Sequence, residues 1–151
     1  MDYASLTWNA DGTPHSVSHG DVYFSREGGR AETELVFLEG NRLPTRWQGG
    51  KRFTIGETGF GTGLNFLHTL ARFEETAPAE ARLHYISVEN APLAPADLAR
   101  AHACWPELAE HSAPLQRLYP LPIAGWHRLH FPRATLTLGL GDGLSLLRSL
   151  D

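Results

Sequence analysis

The segment Gly56-Glu57-Thr58-Gly59-Phe60-Gly61-Thr62-Gly63-Leu64-Asn65-Phe66 constrains this chain more than any other feature. It follows a short run of strand formers, Arg52 to Gly56, and precedes Leu64 to Phe73, where apolar residues recur at helical spacing. Strand, glycine turn and helix in that order put the loop at the carboxyl end of a strand, where open α/β sheets bind ligands. Gly59, Gly61 and Gly63 allow backbone angles and a close approach that side chains would forbid, and the first N–H groups of the next helix lack intrahelical partners. The spacing Gly-x-Gly-x-Gly, with Glu57 two residues earlier, differs from the Gly-x-Gly-x-x-Gly that seats a dinucleotide pyrophosphate. It also lacks the Lys-Ser/Thr pair of an ATP-hydrolysing loop, so a nucleotide-like ligand fits and ATP hydrolysis does not.

The rest of the chain repeats the alternation. Leu83 to Val88 reads as a strand, and Pro95 opens a helix to about Trp105. Prolines 106, 114, 120 and 122 divide the next stretch into short helical pieces around Leu108 and Leu115 to Tyr119. Trp126 to Phe131 and Ala134 to Leu140 alternate across Pro132-Arg133 like a hairpin, the second being the third main strand, before Gly141-Asp142-Gly143 and a leucine-rich helix start. This order predicts an α/β domain with a parallel sheet. Upstream, Leu6 to Trp8 and Ser16 to Ser18 flank Asp11-Gly12, a hairpin signal, with Asp21 to Ser25 as a third strand. Arg30 to Leu38 predicts a short amphipathic helix with Ala31, Leu35 and Leu38 on one face. Gly49-Gly50 then separates an N-terminal hairpin-and-helix extension, 1–50, from a cofactor-binding half, 51–151.

Acidic residues follow all three main strands. Glu57 lies beside the glycine loop; Glu89 ends the second strand, 26 residues past Gly63, where a carboxylate can accept both ribose hydroxyls; Asp142 ends the third, where an adenine would lie. Such a set suits a ligand carrying positive charge, and S-adenosylmethionine, with an ammonium and a sulfonium, is one. Asp142 also suits the N-cap before Leu144, and both roles are compatible.

Composition bounds the partners. The 151 residues carry 13 Lys plus Arg against 17 Asp plus Glu, a formal charge of -4, which argues weakly against nucleic acid. All the basic residues except Lys51 are arginine, however, and arginine pairs with phosphate in a bidentate way that net charge does not report. No stretch approaches the roughly 20 apolar residues of a membrane helix, and the N-terminus lacks the order of a signal peptide, so a cytoplasmic address is expected without membrane association. Cys104 is the single cysteine, read as a small buried side chain in a reducing compartment. No metal is expected: His15 and His19 would be on the order of 12 Å apart in a hairpin, and His127 and His130 would fall on opposite faces of a strand. Tyr23, Phe24 and Trp126 are candidates to stack on a base or adenine, or else to pack in the core.

Gly56 to Phe66, with Asp21 to Ser25 upstream and Ile86 to Glu89, Ala96 to His102 and Trp126 to Phe131 downstream, resembles the methyltransferase domain of the MnmC/MnmD family, essentially over the whole chain. The resemblance implies a Rossmann-like class I S-adenosylmethionine-dependent methyltransferase fold, of which this chain would be the N-terminal half only. It implies Glu57, Gly59, Phe60, Gly61, Thr62, Gly63, Asn65, Glu89 and Asp142 as cofactor-binding residues and Tyr23 and Phe24 at the substrate. It further implies a tRNA partner whose wobble 5-aminomethyl-2-thiouridine is N-methylated, after a C-terminal FAD-dependent oxidase domain has removed a carboxymethyl group.

In that family the catalytic acid lies in an Asp-Gly-Phe-x-Pro segment after a fourth strand, so the catalytic residue is expected beyond Asp151 and this chain alone is expected to be inactive. The fourth strand lies beside the first, which leaves Phe53 to Gly56 as an expected apolar edge prone to association. Asn90 and Gly143 depart from the lysine and alanine common there. Two rival readings remain at this point: a cofactor-binding but catalytically incomplete relative, and a nicotinamide- or flavin-binding oxidoreductase, which the glycine spacing and Glu57 disfavour.

Overall fold

The computed structural model describes residues 1–17, 23, 24 and 28–150. Two antiparallel strands open it, β1 (Leu6–Trp8) and β2 (Pro14–Ser16). The Asp-Gly turn closes them: Gly12 has φ +86°, and the Asp11 carboxylate accepts the Thr13 backbone N–H at 3.0 Å and its hydroxyl at 2.7 Å. The second strand therefore begins two residues earlier than the sequence indicates. The expected strand Asp21 to Ser25 lies mostly outside the described residues. Tyr23 and Phe24 are described and are not in a strand, although the Tyr23 N–H donates to the Pro14 carbonyl at 3.0 Å.

A helix does follow Gly28, but its winding differs from the expected one. α1 (Gly29–Glu32) runs directly into a π-helical turn, Thr33–Leu38. The wider turn rotates the faces, so Thr33 and Leu38, five residues apart, are buried, while Leu35 and Val36 are 65% and 64% exposed. The face expected from Ala31, Leu35 and Leu38 is thus right only at Leu38.

The main sheet contains β3 (Arg52–Thr58), β4 (Arg82–Glu89), β5 (Gly125–His130) and β6 (Ala134–Leu140) in the order β3-β4-β6-β5. β3, β4 and β6 are parallel, and β5 returns antiparallel along β6 as the hairpin predicts. Among the described residues β3 pairs only with β4, which makes the strand that feeds the glycine loop a sheet edge. Its exposed residues include Thr54, Gly56 and Thr58, with Ile55 buried, so the edge is less apolar than expected.

One face of this sheet carries the core. α2 (Leu64–Thr76) lays Phe66, Leu67, Leu70 and Phe73 against Leu83, Tyr85, Leu136 and Leu138, all essentially buried, and Phe66 meets the Tyr85 ring edge-on at 5.2 Å. α3 (Pro95–His102) ends about three residues short of its expected end, and α4 (Ala109–Leu118) tolerates Pro114 within it. The opposite face is polar toward the amino ends of the parallel strands, where the register sets Thr54, His84, Thr135 and His130 in one row across all four strands, and it carries Ile86, Val88 and Trp126 toward the other end. Short α5 (Gly143–Arg148) covers only the carboxyl end of that face, with Leu146 packed over Gly139. Among the described residues no helix is long and apolar enough to cross a membrane.

Candidate functional site

The glycine loop turns from β3 into α2 with φ of +82° at Gly59, +56° at Gly61 and +75° at Gly63. Gly63 is required twice over. It caps α2 in the left-handed region, and a Cβ there would stand 2.8 Å from Phe60 Cζ and 3.2 Å from Leu115 Cδ2. Gly61 is required by a close approach, since the Tyr23 ring lies only 3.2 Å from where its Cβ would be.

Neighbouring elements hold the loop in shape. The Gly59 and Phe60 N–H groups donate to the Val88 carbonyl at 2.9 and 3.2 Å, and the Gly61 N–H donates to Glu89 Oε2 at 2.7 Å. Glu89, 8% exposed at the end of β4, also accepts the Ala91 N–H on Oε1 at 2.9 Å. From α3, His102 Nε2 meets the Thr62 carbonyl at 2.8 Å while its Nδ1 faces Gln116 Nε2 at 3.0 Å. Burial lowers the His102 pKa, which favours the neutral ring that donates to Thr62 and accepts from Gln116.

A polar layer lies behind the loop. Asn65 Nδ2 donates to Glu57 Oε1 at 2.8 Å, the Ser87 hydroxyl donates to Glu57 Oε2 at 3.0 Å, and the Thr33 hydroxyl lies 2.8 Å from Asn65 Oδ1 and 2.9 Å from the Gly29 carbonyl. These contacts tie the π turn, α2, β3 and β4 together. Burial raises the Glu57 pKa to about 7, against the opposing pull of its hydrogen bonds. The buried Tyr85 hydroxyl faces the same carboxylate without completing a hydrogen bond of good geometry, and burial together with the Glu57 charge raises its pKa well above the usual value.

In front of the loop is a cavity of about 560 Å³. Gly59 to Thr62, Asn65 and Glu89 form one wall, and Glu32, Thr33, Val36 and Phe37 form the opposite one. Tyr23 and Phe24 close a side; burial and the Glu89 charge raise the Tyr23 pKa, and Phe24 packs on Trp105 with ring centroids 4.2 Å apart. Among the described residues two carboxylates, Glu32 and Glu89, line the cavity, and no Lys, Arg or His does. Such a lining favours a cationic or neutral polar ligand over a phosphate.

Of the residues singled out in the sequence, Tyr23, Phe24, Gly59, Phe60, Gly61, Thr62, Asn65 and Glu89 converge on this cavity. Gly63 lies beneath it against Phe60, and Glu57 stands one layer back, acting through Asn65. Asp142 does not reach it: its carboxylate accepts the Ser145 N–H at 2.8 Å as the N-cap of α5, and Ser145 lowers its pKa. Trp126 is engaged in packing over Gly139, with its indole N–H donating to Ser149 Oγ at 3.0 Å. Sequence reasoning missed the wall built by Glu32, Thr33, Val36 and Phe37, and missed His102 as a brace of the loop. No three His, Cys, Asp or Glu among the described residues are grouped to hold a metal.

The chain is 51% identical over 147 residues to the tRNA 5-methylaminomethyl-2-thiouridine biosynthesis bifunctional protein MnmC of Hahella chejuensis, covering 94% of this chain and 24% of that protein. The protein of the same name from Methylobacillus flagellatus is 53% identical over 152 residues, covering 98% of this chain and 23% of its own length. The crystal structure of MNMC2 from Aquifex aeolicus superposes with a TM-score of 0.69 at 21% identity, covering all of this chain and 46% of that one, which establishes the Rossmann-like α/β fold. No protein-family model matches the chain. It spans about a quarter of the length of the curated relatives it matches. Half-identical to them over nearly all of its own length, the chain belongs to the MnmC family.

Proposed function

We propose that residues 51–151 are the cofactor-binding half of a class I methyltransferase domain and that 1–50 are an extension whose helix closes the cofactor cavity. The cofactor is S-adenosylmethionine, and the reaction is N-methylation of the wobble 5-aminomethyl-2-thiouridine of tRNA, in the cytoplasm, within a bifunctional protein that also carries an FAD-dependent oxidase domain. One observation carries the reading: a glycine loop at a strand's carboxyl end opens on a cavity lined, among the described residues, by two carboxylates and by no cationic side chain. The names of the relatives, which specify methylaminomethyl-thiouridine biosynthesis in tRNA, agree with it.

The donor set suits the cofactor. Glu89 uses two acceptor positions on Gly61 and Ala91, and a carboxylate offers about four, so it retains capacity for ribose hydroxyls. The glycines admit a ligand close to the backbone, and Asn65, fixed by Glu57, presents a polar group at the cavity wall. When bound, S-adenosylmethionine supplies an electrophilic methyl group on a positive sulfur. The contribution of these residues is positioning and exclusion of water: Phe37, Val36 and the Tyr23 ring give the cavity apolar walls, and the preset loop limits the freedom lost on binding. The reading assigns to residues 1–151 the holding of the cofactor, not the removal of the amine's proton. A nicotinamide dinucleotide would set its pyrophosphate beside Glu32 and Glu89 with no cation among the described lining residues to meet it.

Calorimetric titration with S-adenosylhomocysteine tests the reading. Wild-type chain should bind one equivalent, and Glu89→Ala should bind at least tenfold more weakly. Equal affinity of the two would remove the cavity from the proposal.

A further inference from the structure

We propose that His68 is a positioning residue of the cofactor cavity: acting through Glu34, it latches the wall formed by 29–38 to α2 and so fixes the shape in which that wall meets a ligand. His68 does not line the cavity itself. It is 3% exposed in the second turn of α2 and, with Arg30, Glu34 and Arg72, borders a separate hollow behind the wall. Its Nε2 stands 2.5 Å from Glu34 Oε2, and Arg30 Nε donates to its Nδ1 at 3.4 Å. A guanidinium only donates, so Nδ1 accepts and the proton sits on Nε2, where it is donated to Glu34. Arg30 is itself held, by Glu107 at 3.0 Å from the turn Pro106–Leu108.

Two consecutive residues of the π turn engage α2 in this way. The Thr33 hydroxyl meets Asn65 Oδ1 at 2.8 Å, and Glu34 meets His68 while its Oε1 also pairs with Arg72 Nε at 3.5 Å. Asn65, His68 and Arg72 are spaced i, i+3 and i+7, one polar stripe along α2. Asn65 lies on the cavity and the other two lie behind the wall, so the turn is held from both sides. Apolar anchorage comes at the ends of the segment, from Gly29 close against Phe24 and Leu64 and from Phe37 and Leu38 at the core. Between those ends, the orientation of the turn depends on Thr33 and Glu34.

The consequence is read in ligand affinity. A wall that leaves its closed arrangement lowers the fraction of molecules competent to bind, and apparent affinity falls by that fraction. A second pair of the same chemistry on the same helix supplies the contrast: His111 of α4 meets Glu74 of α2 at 2.9 Å. Glu74 lies nine residues beyond Asn65 along α2, roughly 14 Å at about 1.5 Å per residue, and neither member of that pair lines the cavity. That the occupant is an adenosyl cofactor rests on the proposed function; the latch itself does not.

Calorimetric titration of S-adenosylhomocysteine into the 151-residue chain, with backbone amide exchange of the ligand-free chain beside it, tests this. H68L and E34A should each weaken binding about fivefold, the scale of one lost hydrogen bond. H68L/E34A should weaken it no more than either alone, since both break one link. H68Q, whose amide nitrogen takes the place of Nε2 and donates to Glu34, should recover most of the affinity. H111L should bind as wild type does, and exchange should rise within 29–38 in H68L but not in H111L. Additive losses in the double variant, or an equal loss in H111L, would overturn the proposal and leave His68 a role in stability alone. Should wild type not bind S-adenosylhomocysteine, the cofactor reading falls and exchange decides the latch: a rise confined to 29–38 in H68L supports it, and a uniform rise or none contradicts it. Should H68L not fold, E34A, at the partly exposed partner, carries the same expectations.

Discussion

The Glu89 carboxylate accepts the Gly61 N–H at 2.7 Å, joining the end of one parallel strand to the middle of the glycine loop that follows its neighbour. The same carboxylate accepts the Ala91 N–H, so one buried side chain sets both segments that border the cavity. Glu89→Gln keeps one oxygen and replaces the other with a donor that opposes an N–H. We expect its melting temperature to fall by several degrees, since each orphaned buried donor costs about 1–3 kcal/mol. Each kcal/mol shifts Tm by roughly 2–4 °C at this chain length. Differential scanning fluorimetry of Glu89→Gln beside wild type measures it.

Glu57 makes stability depend on pH. Its folded pKa, about 7, lies above the ordinary value of 4.5, so between those limits the folded state binds more protons than the unfolded state. Its contribution is therefore fully present below about pH 4.5 and is lost as pH rises to 7, with a slope of about 1.4 kcal/mol per pH unit at most. Glu57→Gln should flatten this part of a urea-denaturation profile taken from pH 5 to 8. A cationic ligand should favour the ionised form, so affinity for S-adenosylmethionine should rise through pH 7 in wild type and not in the variant.

Gly63→Ala should be severely destabilising although it adds one methyl group. The residue has φ +75°, and the methyl would stand 2.8 Å from Phe60 Cζ, on a ring that is itself 3% exposed and packed. A loss of roughly 2–4 kcal/mol is expected from strain and overpacking together. Gly12→Ala, also at positive φ but with nothing within 4 Å of its Cβ, should cost only the backbone strain, about 1 kcal/mol. Urea midpoints of the two variants separate the contributions.

Thr33→Val should loosen the far wall of the cavity. It removes the hydroxyl that meets Asn65 Oδ1 and the Gly29 carbonyl while keeping the volume buried. A loss near 1 kcal/mol is expected. Amide exchange should rise selectively in 29–38 and in the first turn of α2, with little change in β4 and β6.

The elements that position the loop were legible because their signals are local. Period-two and helical spacing marked β3, α2, β4 and β6, and Asp11-Gly12 marked the first hairpin. The helix at 29–38 was legible as a helix but not in its faces, because a π turn shifts the buried set from Leu35 to Thr33 and no periodicity announces that shift. Asp142 sat at the right strand end, yet the three-residue reach to Ser145 made it a cap, a choice that depends on where α5 starts. Glu57 and Asn65 were legible as residues of the site, but their order, with Asn65 in front and the carboxylate behind, is set by Ser87 and Thr33 from elements distant in sequence.

Thermal stabilisation by two competing nucleotides tests the central claim, that the cavity before the glycine loop receives a cationic adenosyl cofactor, most directly. Saturating S-adenosylhomocysteine at a hundred times its dissociation constant should stabilise the chain by about 2.7 kcal/mol, several degrees in Tm, with no shift from NADH at the same concentration. Stabilisation by NADH and none by S-adenosylhomocysteine would contradict the account.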